Sequence, residues 1–267
     1  MGTLESTSQA SNVLTRLLTK VEEVYEKYQA EERVLAKEYT STCYKGCGTC
    51  CHFPIISATA GEAFVLYNLL AHMSSNLEGL NSHLRAYAAR YLQYAKSEGS
   101  LPFTQAQQKK AFSELKLPCP LFHKTGENGE GHCGAFAARP LICGYFHSLD
   151  SPELCAKKAP HRTYAPAIAA GEEAMEELRT FERMVLGRST LGHLPLLLAA
   201  MSHAKGQNAL LKTEFANAET NALPPEEAQW SYDFDLFIEL LQACGYDITE
   251  TDIHSLLEAQ KEIGTSS

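Results

Sequence analysis

Residues 12–38 read NVLTRLLTKVEEVYEKYQAEERVLAKE. Their apolar members Leu14, Leu17, Leu18, Val21, Val24, Tyr25, Tyr28 and Leu35 recur at spacings of three, four and seven. That period marks an amphipathic α-helix of several turns, and it sets the fold class. Leu14, Val21, Tyr28 and Leu35 keep a seven-residue step, the pattern of a coiled-coil seam. Glu31 and Glu32, however, stand where the companion apolar position should be. A helix laid against its own domain is therefore expected in preference to a dimer zipper.

The same texture continues outward. Thr59-Ala-Gly-Glu62 has the form of a capping box and predicts a helix from there to about Met73. Further helices are expected over 77–98, 104–116, 166–187, 190–204, 225–243 and 249–262. Pro118-Cys119-Pro120 and the turn cluster Gly126–Gly131, with its Asn128-Gly129 pair, interrupt the pattern. Short extended pieces at Leu121–His123 and His132–Phe136 can form one short β-hairpin across that turn. Arg139-Pro140 opens a short helix. The expectation is a mainly α, compact helical domain with a loop-rich cysteine-cluster metal site. Its regions are an N-terminal amphipathic helix (1–42), a cysteine-bearing module (43–155) and a C-terminal helical region (156–267) packed on the same domain.

The cysteines carry the chemistry. Of nine in the chain, four fall in Cys43-Tyr-Lys-Gly-Cys47-Gly-Thr-Cys50-Cys51; Cys119, Cys133, Cys143 and Cys155 follow, and Cys244 stands alone. Thiolates suit zinc, copper(I) and iron–sulfur clusters. Cys47-x2-Cys50 lets two sulfurs converge on one centre, and Cys43 can join them. Cys50 and Cys51 are neighbours whose side chains point apart on an extended backbone. A single site made of Cys43, Cys47, Cys50 and Cys51 is therefore awkward. Cys119, Cys133 and Cys143 are spread as separate anchors, as when loops fold round one centre. With Cys155 the total is eight, enough for two four-thiolate sites or for one site plus reserve. Cys244 reads as a buried helix-end residue.

Rival readings follow from the same residues. A disulfide framework needs an oxidising compartment, and the N-terminus has neither the basic nor the apolar stretch of a secretory signal. No run approaches the roughly 18–20 apolar residues of a membrane span, so the expected setting is cytoplasmic, with no membrane partner. Met1-Gly2-Thr3-Leu4-Glu5-Ser6 matches the loose acylation pattern, but no basic patch supplies a second anchor. Net charge is −9 overall, divided as −2 over 1–42, +1 over 43–155 and −8 over 156–267. That acidic balance argues against nucleic acid as a partner. Cys43-x3-Cys47-x2-Cys50 also has the spacing of a radical S-adenosylmethionine loop, without the alternating strands and helices that normally surround one. Cys143 and His147, four apart, would share a helical face as a mixed metal site or a thiol nucleophile pair. Arg139 reads as a structural residue or a donor to cluster sulfur.

The run Cys43-x3-Cys47-x2-Cys50-Cys51, followed by Cys119-Pro-Leu-Phe, Cys133-Gly-Ala-Phe, Arg139-Pro140 and Cys143, resembles the YkgJ-like cysteine-cluster family, described as zinc- or iron-chelating. The resemblance covers residues 43–147. It departs at Phe136, where members often have Tyr, and at Gly144, where they often have Arg. It implies a metal site, with an iron–sulfur cluster ([4Fe–4S] among the forms) or zinc as cofactor, and it implies no reaction. Some relatives are flagellin lysine N-methylases, which adds a cluster-dependent transferase to the expectations beside a structural zinc module.

Overall fold

The computed structural model describes residues 3–44, 46–99, 101–102, 105–126, 130–187, 189–211 and 234–248. In chain order these form α1 (Thr3–Leu35), β1 (Ser57–Thr59), α2 (Ala60–Met73), α3 (Leu77–Ser97), α4 (Gln105–Glu114), β2 (Phe122–Lys124) and β3 (Gly131–Cys133). Then come α5 (Leu141–Tyr145), α6 (Pro152–Ala156), α7 (Ala165–Leu186), β4 (Leu191–His193), α8 (Leu194–Met201), α9 (Ala204–Leu211) and α10 (Phe234–Ala243). The expected helix 249–262, the first part of 225–243, Met1-Gly2 of the acylation pattern and the Asn128-Gly129 turn lie outside the described residues.

α1 buries Val13, Leu17, Val21, Val24 and Tyr28, one stripe at spacings of four and three. The stripe packs on α7 of the same chain, where Ala174, Met175 and Leu178 meet Val21, Val24 and Tyr28. Lys20 and Lys27 reach across to the Glu177 carboxylate at 2.7 and 2.8 Å. The seven-residue step thus belongs to an intramolecular seam.

α8 is apolar on every side, Leu194 to Met201 all being buried, the mark of a helix enclosed by others. α2, α3, α9 and α10 surround it. The stretch 190–204, expected as one helix, divides: Leu191–His193 is a strand, and a turn at Ser202 and His203 separates α8 from α9. β4 pairs antiparallel with β1, Ser57 opposite His193 and Thr59 opposite Leu191, so three-residue strands far apart in sequence close the core. The hairpin forms from β2 and β3, with Phe122 opposite Cys133. No described helix is long and apolar enough to cross a membrane.

Two buried titratable groups sit at this closure. His193 Nδ1 accepts from the Ile56 amide at 3.0 Å, which leaves Nε2–H to face the Tyr87 hydroxyl at 3.0 Å; burial lowers its pKa to about 3. Glu182 Oε1 accepts from the Gly61 amide at 2.7 Å, an approach only glycine allows, because a Cβ there would lie 2.5 Å from that oxygen. Burial, with the Glu62 carboxylate nearby, raises the Glu182 pKa to about 7. A raised carboxyl pKa means a penalty absent below the unfolded value, growing as pH rises, and complete above about 7. Glu182→Gln is therefore expected to stabilise the fold at pH 8 by up to about 3 kcal/mol and to change little at pH 5. Urea unfolding at the two pH values measures this; equal effects at both would contradict a buried, late-titrating Glu182.

Candidate metal centre

The cysteine loop is shaped by two glycines and tied down by its neighbours. Gly46 and Gly48 take φ of +99° and +64°, left-handed values that disfavour a side chain, and the chain then makes a 3-10 turn over Thr49–His52. The Thr42 amide donates to the Ser148 carbonyl at 2.9 Å, the Cys119 amide to the Cys51 carbonyl at 2.6 Å, and the Gly131 amide to the Gly46 carbonyl at 3.0 Å. Cys119 and the hairpin bearing Cys133 are thereby laid against the loop. Cys143 rides on α5, whose Leu141 amide donates to Glu62 Oε1 at 3.0 Å. The Tyr145 ring presses so closely on Gly171 of α7 that a Cβ there would lie 1.9 Å from it. Cys155 rides on α6, started by Ser151 and Pro152 and packed against the 49–52 turn.

All nine cysteines are free thiols, and the neighbours that act on five of them, Cys50, Cys51, Cys119, Cys143 and Cys155, group the cluster. Burial, then Cys43 and Cys155, then Cys51 and Cys47, push Cys50 up to about 12. Cys155 is raised by burial and by Cys43 and Cys47. Cys51 is pushed up to about 11 by burial, then Cys133, with Cys47 weaker. Cys119 is raised by burial and by Cys51 and Cys133; Cys143 by burial, Cys119, Cys51 and Cys133, with Cys50 last. By leading neighbours Cys43, Cys50 and Cys155 fall together, as do Cys51, Cys119, Cys133 and Cys143; Cys47 acts on Cys50, Cys155 and Cys51 alike and is placed with the first set. The adjacent Cys50 and Cys51 differ in their leading neighbours, Cys43 for one and Cys133 for the other, although Cys51 also acts on Cys50. Neither set is a ready cage: among the described residues no three His, Cys, Asp or Glu side chains are arranged to hold a metal ion.

The sulfurs do receive donors. The Ser148 amide donates to Cys43 Sγ at 3.3 Å. The Leu121 amide lowers the Cys119 pKa against burial and the Ala135 amide does so for Cys133, and the Thr49 hydroxyl lies 3.3 Å from Cys47 Sγ. A neutral thiol is a weak acceptor, so these donors suit anionic sulfur. Each set also has a cation at its side. Lys158 Nζ lies 3.9 Å from the centre of the Phe53 ring; burial lowers its pKa while the Cys50 and Cys155 thiols push it back up. Arg139, 4.7 Å over the Phe136 ring, draws the Cys133 thiol down.

Other expectations change here. Cys143 and His147 do not share a helical face, because α5 ends at Tyr145 and Phe146 is extended. His147 instead lies edge-on to Tyr39, 5.4 Å between ring centres, with Nε2 3.4 Å from Glu32 Oε1 but not in hydrogen-bond geometry. Cys244, half-buried just past α10, is 3.6 Å from the Ala200 carbonyl and belongs to neither set. Glu62, Ser148 and Lys158 were not singled out by sequence; only the capping box hinted at Glu62. Comparison with family models, with curated proteins and with solved structures finds no match.

Proposed function

We propose that this chain is a thiolate metal-binding protein with two four-cysteine centres, holding iron–sulfur clusters or, in the same ligand sets, zinc. The observation that supports the reading is that the buried thiols have different leading neighbours, Cys43 and Cys155 acting on Cys50, and Cys133 acting on Cys51, Cys119 and Cys143. The donor chemistry fits: soft sulfur ligands, amide and hydroxyl donors on four of them, and Lys158 and Arg139 beside the negative charge such centres carry. The lack of a ready cage means that the sulfurs must converge on the metal by side-chain rotation, as in sites that complete themselves on binding. When bound, a cluster supplies an electron-transfer centre, and zinc supplies a cross-link. The resemblance of residues 43–147 to the YkgJ-like family points the same way.

A second reading, a cluster-dependent transferase, is favoured by one observation: cavities lined by Glu32 and Arg139 adjoin the cysteine sets, one of them reaching Cys43. Anaerobic titration of the metal-free, reduced chain with cobalt(II) tests the main reading. Thiolate-to-cobalt absorption saturating at two equivalents is expected; no such absorption overturns it.

A further inference from the structure

Between α1 and the segment 136–144 runs a groove made of two adjoining cavities, each of ≈ 340 Å³, with Glu32, Phe136 and Arg139 lining both. Opposite charges thus face one space, yet among the described residues Arg139 and Glu32 form no ion pair with each other. The Arg139 guanidinium lies 4.7 Å over the Phe136 ring. Tyr28 lines one cavity and His147 the other, and the Tyr28 hydroxyl and His147 Nε2 are buried without hydrogen-bond partners. Both groups lie in the field of Glu32 and Arg139 together. Buried polar groups left unpaired are costly, and a guanidinium is a fork suited to a carboxylate. Four unsatisfied or half-satisfied groups therefore converge on a space large enough for a small molecule.

We propose that this groove binds a small zwitterion, a free α-amino acid, with its carboxylate on Arg139, its ammonium on Glu32 and its side chain along Tyr28 and Phe136. An inorganic anion would satisfy Arg139 but would be repelled by Glu32. A simple amine would meet the reverse. Only a ligand carrying both charges answers both walls, and the Tyr28 hydroxyl can bond either end. The groove borders the cysteine cluster, since Cys43 lines one cavity and Arg139 acts on Cys133, but no cysteine is asked to hold the ligand.

The test is calorimetric titration of the full chain with the common free L-amino acids. Acetate, methylammonium, inorganic phosphate and the N-acetyl methyl ester of any binder serve as controls. At least one amino acid is expected to bind while acetate, methylammonium, phosphate and the blocked ester do not. Arg139→Gln and Glu32→Gln should each weaken binding about tenfold or more, and Tyr28→Phe about threefold to tenfold. Far-UV circular dichroism checks each fold; should Arg139→Gln misfold, Glu32→Gln and Tyr28→Phe carry the test. Binding by no amino acid, binding indifferent to Glu32→Gln, or equal binding of acetate or phosphate overturns the proposal. Metal content measured on the same samples keeps failure here distinct from failure of the metal reading.

Discussion

Replacing Cys143 by alanine is expected to remove one metal centre and leave the other, halving the metal bound per chain. Replacing Cys155 by alanine should remove the opposite one. Cys143 is raised chiefly by burial and by Cys119, Cys51 and Cys133, whereas Cys155 shares charge with Cys43 and Cys47. The two substitutions therefore strike different sets. Losing an outer-shell partner already lowers metal affinity by about 10–100-fold, so losing a thiolate should exceed that. Because structural zinc contributes on the order of 10 kcal/mol of apparent binding free energy that is coupled to folding, each variant should also unfold at distinctly lower temperature than the loaded protein. Cys50→Ala should resemble Cys155→Ala, and Cys51→Ala should resemble Cys143→Ala, although the two residues are adjacent. Metal analysis of the four variants measures this. Identical losses from Cys50→Ala and Cys51→Ala would contradict two separate sets.

Glu62→Ala is expected to destabilise the fold by about 4 kcal/mol, with smaller loss for Glu62→Gln. The carboxylate is 1 % exposed, and it accepts from the Thr59 amide at 2.9 Å, the Tyr25 hydroxyl at 2.8 Å and the Leu141 amide at 3.0 Å. Removing it strands three buried donors, each worth about 1–3 kcal/mol. That loss is offset in part because burial already disfavours the charged form and raises the Glu62 pKa. Glutamine keeps one acceptor oxygen but turns an NH2 group toward a donor. Glu62 also joins α1, the start of α2 and the start of α5, so its loss should loosen Cys143 and weaken the second centre more than the first. Urea unfolding with metal analysis checks both effects; a loss under about 1 kcal/mol would contradict the role given to Glu62.

Local signals were legible in the sequence. The α1 stripe, the capping box at Thr59 and Glu62, and the hairpin around Gly131 depend on residues three to ten apart, and the chain folds them as read. The boundaries shift: α1 begins at Thr3 and ends at Leu35, before Lys37 and Glu38. What failed depends on distant partners. Leu191-Gly192-His193 reads as the start of a helix, yet it extends because β1 offers a ladder and Ile56 and Tyr87 hold His193. A Cβ on Gly192 would lie 2.6 Å from the Phe237 ring, so the strand also needs that glycine. The Cys143–His147 pair was misread because spacing of four implies a shared face only while a helix lasts, and α5 stops at Tyr145. Cys50 and Cys51 lie within a 3-10 turn, so the side-to-side alternation of an extended backbone, on which their divergence was expected, does not hold there. The neighbourhood of Cys155 was not legible either, since it depends on α6 packing against the 49–52 turn.

The central claim is that the two cysteine sets hold metal, and the most direct measurement is iron, zinc and acid-labile sulfide per chain after purification without oxygen. An absorption spectrum should be recorded on the same sample. The expected result is iron with matching sulfide and a broad visible band, in amounts that fill two centres. Two zinc per chain without sulfide would keep the centres and overturn the cluster form. A chain that emerges without metal, and takes none up when reduced, would contradict the account.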